Sequence, residues 1–334
     1  SPTHILLRGN PHIQGKKVEP GFPEALTSGA PRITQRPNSQ TSGKRRALAE
    51  WLVSKDNPTS SRAIANRLWQ FHFGRGSCPT PSDFGKLGQL PTHPELLDWL
   101  AVEMVNRGWK LKTFHKLLMT SNAYMMSSKS VPKARASDPA IIRFWRCNIR
   151  RLSAEEIRDS ILKVNGTLNP KYLGSSFYPE VPREVLQTSS RPGGVWRKSS
   201  PEEQRRRSVY IFIKRSLIPP MLSTHDLADT DSSCASRFTT TVPTQALTML
   251  NSKFLNDQAG VFAAYLQKEF GDDARGKISA ALNRVFCRKP VKNEVDKCIK
   301  LINDFQVKDK LTSEQAFKYF CLLALNLNEF VYLD

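Results

Sequence analysis

The chain has 334 residues, of which 39% are hydrophobic, with six tryptophans and a formal net charge of +20 at pH 7. This length and apolar content predict a globular protein with a substantial core and exclude an intrinsically disordered chain. The positive charge favours an acidic partner such as nucleic acid, anionic polysaccharide or an anionic membrane surface, while a solvated basic surface that aids solubility is an equally simple explanation.

No run of apolar residues is long enough to span a bilayer, so the sequence predicts no transmembrane segment. Ser1 is not a methionine and begins no signal-like stretch, so we expect a processed product or a fragment of a longer protein. The six cysteines form neither a CxxC pair nor a CxxCH haem-attachment motif. We therefore expect no cofactor within this chain.

The chain divides into four segments. Residues 1 to 41 carry glycine and proline punctuation around one short apolar run at 5–8, which predicts an extended arm with a single strand. Residues 42 to 165 have helical periodicity and predict a helical lobe. Residues 166 to 204 lose that periodicity and predict a long loop or insert. Residues 205 to 334 predict a strand, SVYIFI at 208–213, followed by a C-terminal helical lobe that packs with residues 42–165 as one unit.

The stretch from Arg62 to Trp99 is the richest in specific side-chain chemistry. A helix is predicted first, ended by Gly74, and a long loop then leads to a second helix opened by a capping box of Thr92 and Glu95. The helical spacing places one set of apolar residues on a buried face: Ile64, Ala65, Leu68, Trp69 and Phe71. It places Arg62, Asn66 and Gln70 on another face.

Two further capping boxes are predicted, one from Ser153 and Glu156 and one from Thr312 and Gln315. Together these patterns predict a mainly α protein of two packed helical lobes, with a small β element and long irregular loops.

Polar residues crowd at two places in the sequence. Around the first helix–loop–helix stretch, His93 and Asp83 are weak candidates for acid–base catalysis, although a histidine beside a helix cap is more simply explained as structural. Asp226, Asp229 and Asp231 are weak metal candidates, because they lack the glycine and terminal glutamate of a calcium loop. The candidate binding residues come from both places: Arg62, Asn66, Arg67, Gln70, Asp226, Arg237 and Gln245.

Six motifs follow one another along nearly the whole chain: RLWQ at 67–70, DFG at 83–85, HPELLDWL at 93–100, RLSAEEIRD at 151–159, VPTQAL at 242–247 and LNLNEFVY at 325–332. In this order they resemble the planctomycete-type C-terminal domain of unknown function. The resemblance implies an exported, extracytoplasmic protein with an upstream cytochrome c-like domain, often associated with sulfatases and other polysaccharide-degrading functions. It implies no catalytic residue. Any haem c would lie in an upstream domain or a partner.

Three hypotheses follow. The first is an exported module that binds or processes anionic, sulfated polysaccharide and works with a c-type cytochrome domain or subunit. The second is a scaffold of an envelope or surface assembly, in which the polar motifs brace loops against helices. The third is nonspecific nucleic-acid binding, which is less favoured because Lys and Arg are scattered and no nucleic-acid motif is present.

Overall fold

The computed structural model of the chain describes residues 3–27, 29–35, 37, 40–187 and 196–334. It is mainly helical, which confirms the predicted fold class. The chain divides into two compact units, Ser1–Asn148 and Ile149–Asp334. No helix in these described ranges combines the length and the apolar character that a membrane crossing requires.

The first unit begins with an antiparallel hairpin of β1 (Thr3–Leu6) and β2 (Gln14–Val18), so the N-terminal arm contains two strands rather than the single predicted one. Five helices follow: α1 (Lys44–Leu52), α2 (Pro58–Phe73), α3 (Pro94–Asn106), α4 (Leu111–Met119) and α5 (Pro132–Ser137). The core of this unit lies between α2, α3 and α4 and includes Trp69, Leu97, Leu100 and Phe114.

The predicted faces of α2 are partly wrong. Ala65, Leu68 and Trp69 are buried, but Ile64 is exposed and Phe71 is 70% exposed. Asn66, predicted on a polar face, is completely buried. Helical spacing places residues on a face but does not say how wide the contacted face is, and here a polar loop contacts the helix beside the apolar stripe.

The helix boundaries follow local chemistry. Asn57 caps α2, because its side-chain oxygen accepts hydrogen bonds from the amides of Thr59 and Ser60, and Gly74 ends the helix in a left-handed conformation, as predicted. The capping box predicted for Thr92 is wrong. His93 is the cap residue of α3, and the cap makes no side-chain hydrogen bond.

The second unit contains two short strands, β3 (Arg150–Arg151) and β4 (Tyr332–Leu333), which pair antiparallel. Its helices are α6 (Ala154–Val164), α7 (Arg183–Gln187), α8 (Pro220–Thr224), α9 (Pro243–Asn251), α10 (Lys253–Phe270), α11 (Ala274–Phe286), α12 (Lys292–Val307), α13 (Ser313–Ala324) and α14 (Asn328–Val331). The capping boxes predicted at Ser153 and Thr312 are confirmed.

The core of the second unit is formed mainly by α10, α11 and α13, with Phe262, Leu282 and Phe320 fully enclosed. Ile157 and Ile161 of α6 belong to the same core. The sequence segmentation grouped α6 with the preceding helices. In the structure its apolar residues pack with the C-terminal helices, and α6 lies within the unit Ile149–Asp334.

The strand predicted from SVYIFI is wrong. Residues Ser208–Tyr210 form a 3-10 turn, and Ile211 makes only an isolated bridge with Phe177. The β-branched and aromatic residues of this stretch indicated a strand because such residues favour strands. In the structure, Ile211 is instead buried with Phe177 in a small apolar cluster.

Part of the predicted loop 166–204 lies outside the described residues, at 188–195. Within the described part, Trp196 donates its indole N–H to the carbonyl of Pro179 at 2.8 Å. Its ring also makes edge contacts with Tyr178 and Phe212. Trp196 therefore ties the two ends of this segment together and contacts Phe212 beyond it.

Candidate functional site

The first polar cluster is built around Asn66 of α2. Its side-chain oxygen accepts the backbone N–H of Cys78 at 2.8 Å, and its amide nitrogen donates to the Cys78 carbonyl at 3.0 Å. Gly76 lies against the same amide, where a Cβ atom would come within 2.7 Å of Asn66 Nδ2. Asn66 therefore acts as a brace that fixes the loop after α2, since it satisfies both backbone groups of one buried residue.

The other candidate residues of α2 have different environments. Arg62 donates from Nε to Asp98 of α3 at 2.6 Å, in a partly exposed ion pair that ties the two helices together. Arg67 is exposed and makes no hydrogen bond or ion pair within the part of the chain that is described. Gln70 is half-buried, and its carbonyl accepts the amide of Gly74 at the end of α2. Helix α2 therefore carries an amide that braces a loop (Asn66), a cation paired with α3 (Arg62) and a cation exposed to solvent (Arg67).

Asp83 and His93 do not contact each other in the described structure. Asp83 accepts the backbone N–H of Gly85 at 2.8 Å within its own turn. The Nδ1 atom of His93 lies 3.0 Å from the hydroxyl of Thr92. Each group has a local partner, so the geometry gives the carboxylate no orienting role toward the imidazole of the kind a catalytic dyad requires.

An imidazole pair that the sequence analysis did not single out lies between α2 and α4. His72 Nε2 is 2.8 Å from His115 Nδ1, and the Tyr124 ring makes an edge contact with His72. Burial lowers the pKa of His72, and the neighbouring His115 lowers it further. No sequence signal could have found this pair, because the two histidines are 43 residues apart and neither belongs to a spaced motif.

The second polar cluster is centred on Asp226. Arg151 Nη2 donates to Asp226 Oδ2 at 2.5 Å, and the arginine also donates to the carbonyls of Leu152 and Thr240. Thr240 donates both its amide and its hydroxyl to the same carboxylate, and the buried amide of Gln245 lies 3.4 Å from it. The cluster therefore joins β3, the loop before α9 and α9 itself.

The carboxyl of Asp226 is held in its charged form. Burial alone would raise its pKa, but the hydrogen bonds from Thr240 and the positive charge of Arg151 outweigh burial and lower the pKa overall. Asp226 has a φ of +62°, a left-handed conformation that Asp and Asn tolerate better than most residues. The strained backbone and the charge are both stabilised by the same partners.

His225 lies beside this cluster and is almost fully buried. Its Nδ1 atom is 3.0 Å from the carbonyl of Met221. Because a carbonyl can only accept, Nδ1 carries the hydrogen, and Nε2 carries the lone pair in the neutral ring. Burial lowers the pKa of His225, and the nearby Arg151 adds to that effect.

The remaining candidates at this end of the chain are also engaged. Arg237 donates Nη1 to both carboxylate oxygens of Glu155, at 2.8 and 2.9 Å. Asp229 accepts from the amide of Asp231 and the hydroxyl of Ser232, while Asp231 pairs with Arg215. The three aspartates proposed as metal ligands therefore serve different partners. Among the residues described, no group of three or more His, Cys, Asp or Glu side chains is placed to hold a metal.

Two buried arginines were missed by sequence reasoning. Arg158 donates to the carbonyls of Gln204 and Arg206, and Arg206 donates to those of Leu173 and Ser175. Burial lowers the pKa of Arg158 to about 10, so it stays charged at neutral pH. The Arg158 guanidinium fastens the end of the 166–204 segment to α6, and the Arg206 guanidinium joins residues 173–175 of that segment to the residues that follow it. The only sequence signal was the basic run at 205–207, and it gave no indication that Arg206 would be buried while its neighbours were not.

Each polar cluster is thus a set of internally satisfied braces. The first lies in the unit Ser1–Asn148 and the second in the unit Ile149–Asp334. What these arrangements do chemically is hold loops in defined conformations, since most of their donors and acceptors are committed to protein partners.

The sequence profile of the PSD1 family, described as proteins of unknown function (DUF1553), matches residues 44–302. No curated protein and no solved structure matches the chain.

Proposed function

The chain belongs to the PSD1 family of proteins of unknown function, and from this premise we propose that it is a non-catalytic module that binds anionic, sulfated polysaccharide. The observation that carries the proposal is the uneven distribution of charge between the two units. Polar clusters that are committed to internal hydrogen bonds support a binding role over a catalytic one.

The first unit is strongly basic. Residues 1–148 contain 22 Lys and Arg against 9 Asp and Glu, a net charge of +13, whereas residues 149–334 contribute +7. Within the described part of the first unit, ion pairs engage four of these cations: Lys17, Arg46, Arg62 and Arg107. Most of its positive charge is therefore uncompensated and available to an anionic polymer.

The uncompensated cations are concentrated late in the unit. Between residues 108 and 148 there are eight Lys and Arg and a single acidic residue, Asp138. Asp138 accepts the backbone amides of Ile142 and Arg143, so its charge is already used within a turn. On α4, Lys112 and Lys116 are four residues apart and exposed, which places two cations on one helix face.

Binding should be tested with the full chain against a sulfated polysaccharide, its desulfated form and duplex DNA, each across a salt series. We expect the sulfated polymer to bind more tightly than the desulfated form and to retain binding at physiological salt. Because surface ion contacts are screened, affinity should fall with salt for both polyanions, with the steeper loss for DNA if its binding is only nonspecific. No preference for the sulfated polymer over its desulfated form would overturn the proposal.

A charge-matched pair of variants locates the binding surface. The double variant Lys112→Gln/Lys116→Gln removes two charges from the first unit, and Lys297→Gln/Lys300→Gln removes the same charge from exposed positions of α12 in the second. We expect only the first to weaken polysaccharide binding. Equal losses would indicate that net charge alone determines the affinity.

A second candidate function is a structural scaffold of an envelope or surface assembly. The cluster of Arg151, Asp226, Thr240 and Gln245 favours it, because these side chains satisfy one another and brace three segments. Equal and salt-labile binding to every polyanion in the same screen would support this scaffold role over polysaccharide recognition.

We further propose that the module acts in an extracytoplasmic protein that also carries a c-type cytochrome domain or associates with one. The family resemblance supports this setting. Fractionation of the native host, followed by a stain for covalent haem on the band detected by an antibody against this chain, tests both parts. Recovery of the chain in the cytoplasm, without haem on it or co-purifying with it, would contradict them.

A further inference from the structure

The hydrogen bond between His72 and His115 joins α2 to α4 beside the lysines of the proposed binding surface. His72 Nε2 lies 2.8 Å from His115 Nδ1, and the two ring planes are inclined at 64°. On α4, His115 lies between the exposed Lys112 and Lys116 in the sequence. We propose that this imidazole pair binds one proton in mildly acidic solution and thereby strengthens the binding of sulfated polysaccharide to α4. The inference rests on the proposed function.

A pair with this geometry can take up one proton but not two. In the neutral state one ring donates the hydrogen of its facing nitrogen to the lone pair of the other ring, and the donor ring keeps a lone pair on its far nitrogen. A proton that binds to that far nitrogen gives an imidazolium, and its hydrogen bond to the neutral ring becomes charge-assisted. A second proton needs the lone pair that already accepts this hydrogen bond. It therefore cannot bind while the facing nitrogens stay 2.8 Å apart.

Both rings can exchange a proton with solvent, because both side chains are only half-buried. Besides His115, the phenol ring of Tyr124 makes an edge contact with His72. The charged side chains of the helices that carry the pair, and of α3 packed against α2, are Arg62 and Arg67 on α2, Glu95, Asp98 and Glu103 on α3, and Lys112 and Lys116 on α4. In the described part of the chain, no carboxylate forms an ion pair or a hydrogen bond with either ring. A bound proton therefore adds an uncompensated positive charge beside the two lysines.

The pair responds to acid. Burial lowers the pKa of His72, and the neighbouring His115 lowers it further, so the ring is neutral at pH 7 and takes up its proton below the ordinary value of 6.5. Sulfate esters stay ionised throughout this range, so the charge of the polymer does not change. Affinity for a sulfated polymer should therefore rise as the pH falls. By linkage, a bound polymer should raise the pH at which the pair is protonated.

The test compares the binding of dextran sulfate and of uncharged dextran to the full chain between pH 5 and pH 8 at constant ionic strength. We expect the affinity for dextran sulfate to rise about two- to fivefold toward acid, the gain that one additional surface ion contact gives. The double variant His72→Gln/His115→Gln should lose most of this gain. His4→Ala/His12→Ala removes two imidazoles from the N-terminal hairpin and should keep it. An equal rise in the parent and in the Gln variant would overturn the inference.

A titration of the unmodified protein, followed by nuclear magnetic resonance of the imidazole Cε1 protons, removes the dependence on variant folding. The pair of His72 and His115 should bind one proton between pH 8 and pH 5, and dextran sulfate should move the midpoint to higher pH by about 0.3–0.7. Two protons bound in this range, or a midpoint that bound dextran sulfate does not move, would overturn the inference and leave polysaccharide binding standing. No binding of dextran sulfate at any pH would overturn the proposed function, and this inference with it.

Discussion

Arg151 and Asp226 are 75 residues apart in the sequence, yet Arg151 Nη2 and Asp226 Oδ2 lie 2.5 Å apart, with the arginine side chain 3% exposed and the aspartate 19% exposed. A charged group of this kind is stable away from water only while its partner stays charged and correctly placed. The pair therefore makes the loop before α9 part of the folded core of the second unit.

Asp226→Asn should destabilise the second unit by about 3 kcal/mol or more, because the substitution leaves the Arg151 cation buried without a counter-charge. Asn tolerates the left-handed backbone of residue 226 about as well as Asp, so the loss reports the charge rather than the conformation. Urea denaturation measures it. Asp231→Asn is the matched control, since its pair with Arg215 is exposed, and it should change stability by less than about 1 kcal/mol. Equal effects of the two variants would refute this account of the buried pair.

Asn66→Ala should destabilise the first unit by about 1–3 kcal/mol for each backbone group of Cys78 that it leaves without a partner. The loop after α2 should also exchange its amide hydrogens faster, and hydrogen exchange at Cys78 reads this directly. Arg67→Ala, at an exposed position of the same helix, should stay within about 0.5 kcal/mol of the parent protein. A protected Cys78 amide in the Asn66 variant would show that another group satisfies it.

Stability should fall as the pH is lowered from 7 toward 5, and His225 should contribute to this loss. Its folded-state pKa is lowered by burial, so below the ordinary value of 6.5 the unfolded chain binds a proton that the folded chain does not. Between 6.5 and the folded pKa, this group reduces the unfolding free energy by at most about 1.4 kcal/mol for each pH unit. The nearby charges of Arg151 and Asp226 act in opposite directions on this pKa.

Denaturant midpoints measured at pH 5, 6 and 7 test the effect. His225→Gln should flatten the pH dependence, because glutamine does not titrate. His12→Ala, which removes an exposed histidine of the N-terminal arm, should leave the slope unchanged. A slope that is identical in the parent and in the His225 variant would assign the pH dependence to other groups.

Trp196→Ala should loosen the anchored part of the 166–204 segment and speed its cleavage by proteases. Trp196→Phe keeps the ring that contacts Tyr178 and Phe212 but removes the hydrogen bond to Pro179, so it should cost only about 1 kcal/mol. Limited proteolysis followed by mass analysis ranks the three proteins. Equal cleavage of all three would mean that Arg158 and Arg206 hold the segment without help from the indole.

Local chemistry could be read from the sequence where the partners are close in the chain. The capping boxes at Ser153 and Thr312 are confirmed because the cap side chain and the backbone amide it binds are only three residues apart. On α3, the buried residues Leu97, Leu100 and Met104 follow the same local rule, since they recur every three or four residues. A three- or four-residue spacing defines a helix face whatever surrounds it.

The sequence predictions are wrong where contacts with segments distant in the chain decide the conformation or burial of a residue. SVYIFI has strand composition, but a strand needs a neighbour along its length, and the structure supplies one bridge at Ile211. On α2, Phe71 is exposed to solvent and Asn66 is buried. Asn66 is buried because the loop that covers this side of the helix presents the backbone of Cys78 to it, and not an apolar side chain.

The sequence by itself determined the helical class, the family and the helix boundaries at Gly74, Ser153 and Thr312, because these depend on periodicity, capping and motif order within short stretches of chain. The tertiary structure decided which polar residues are braces, which cations stay solvated and which two histidines meet. Those outcomes depend on burial and on partners up to 89 residues away, such as Arg151 and Thr240, and burial sets both the pKa of a side chain and the cost of leaving it unpaired.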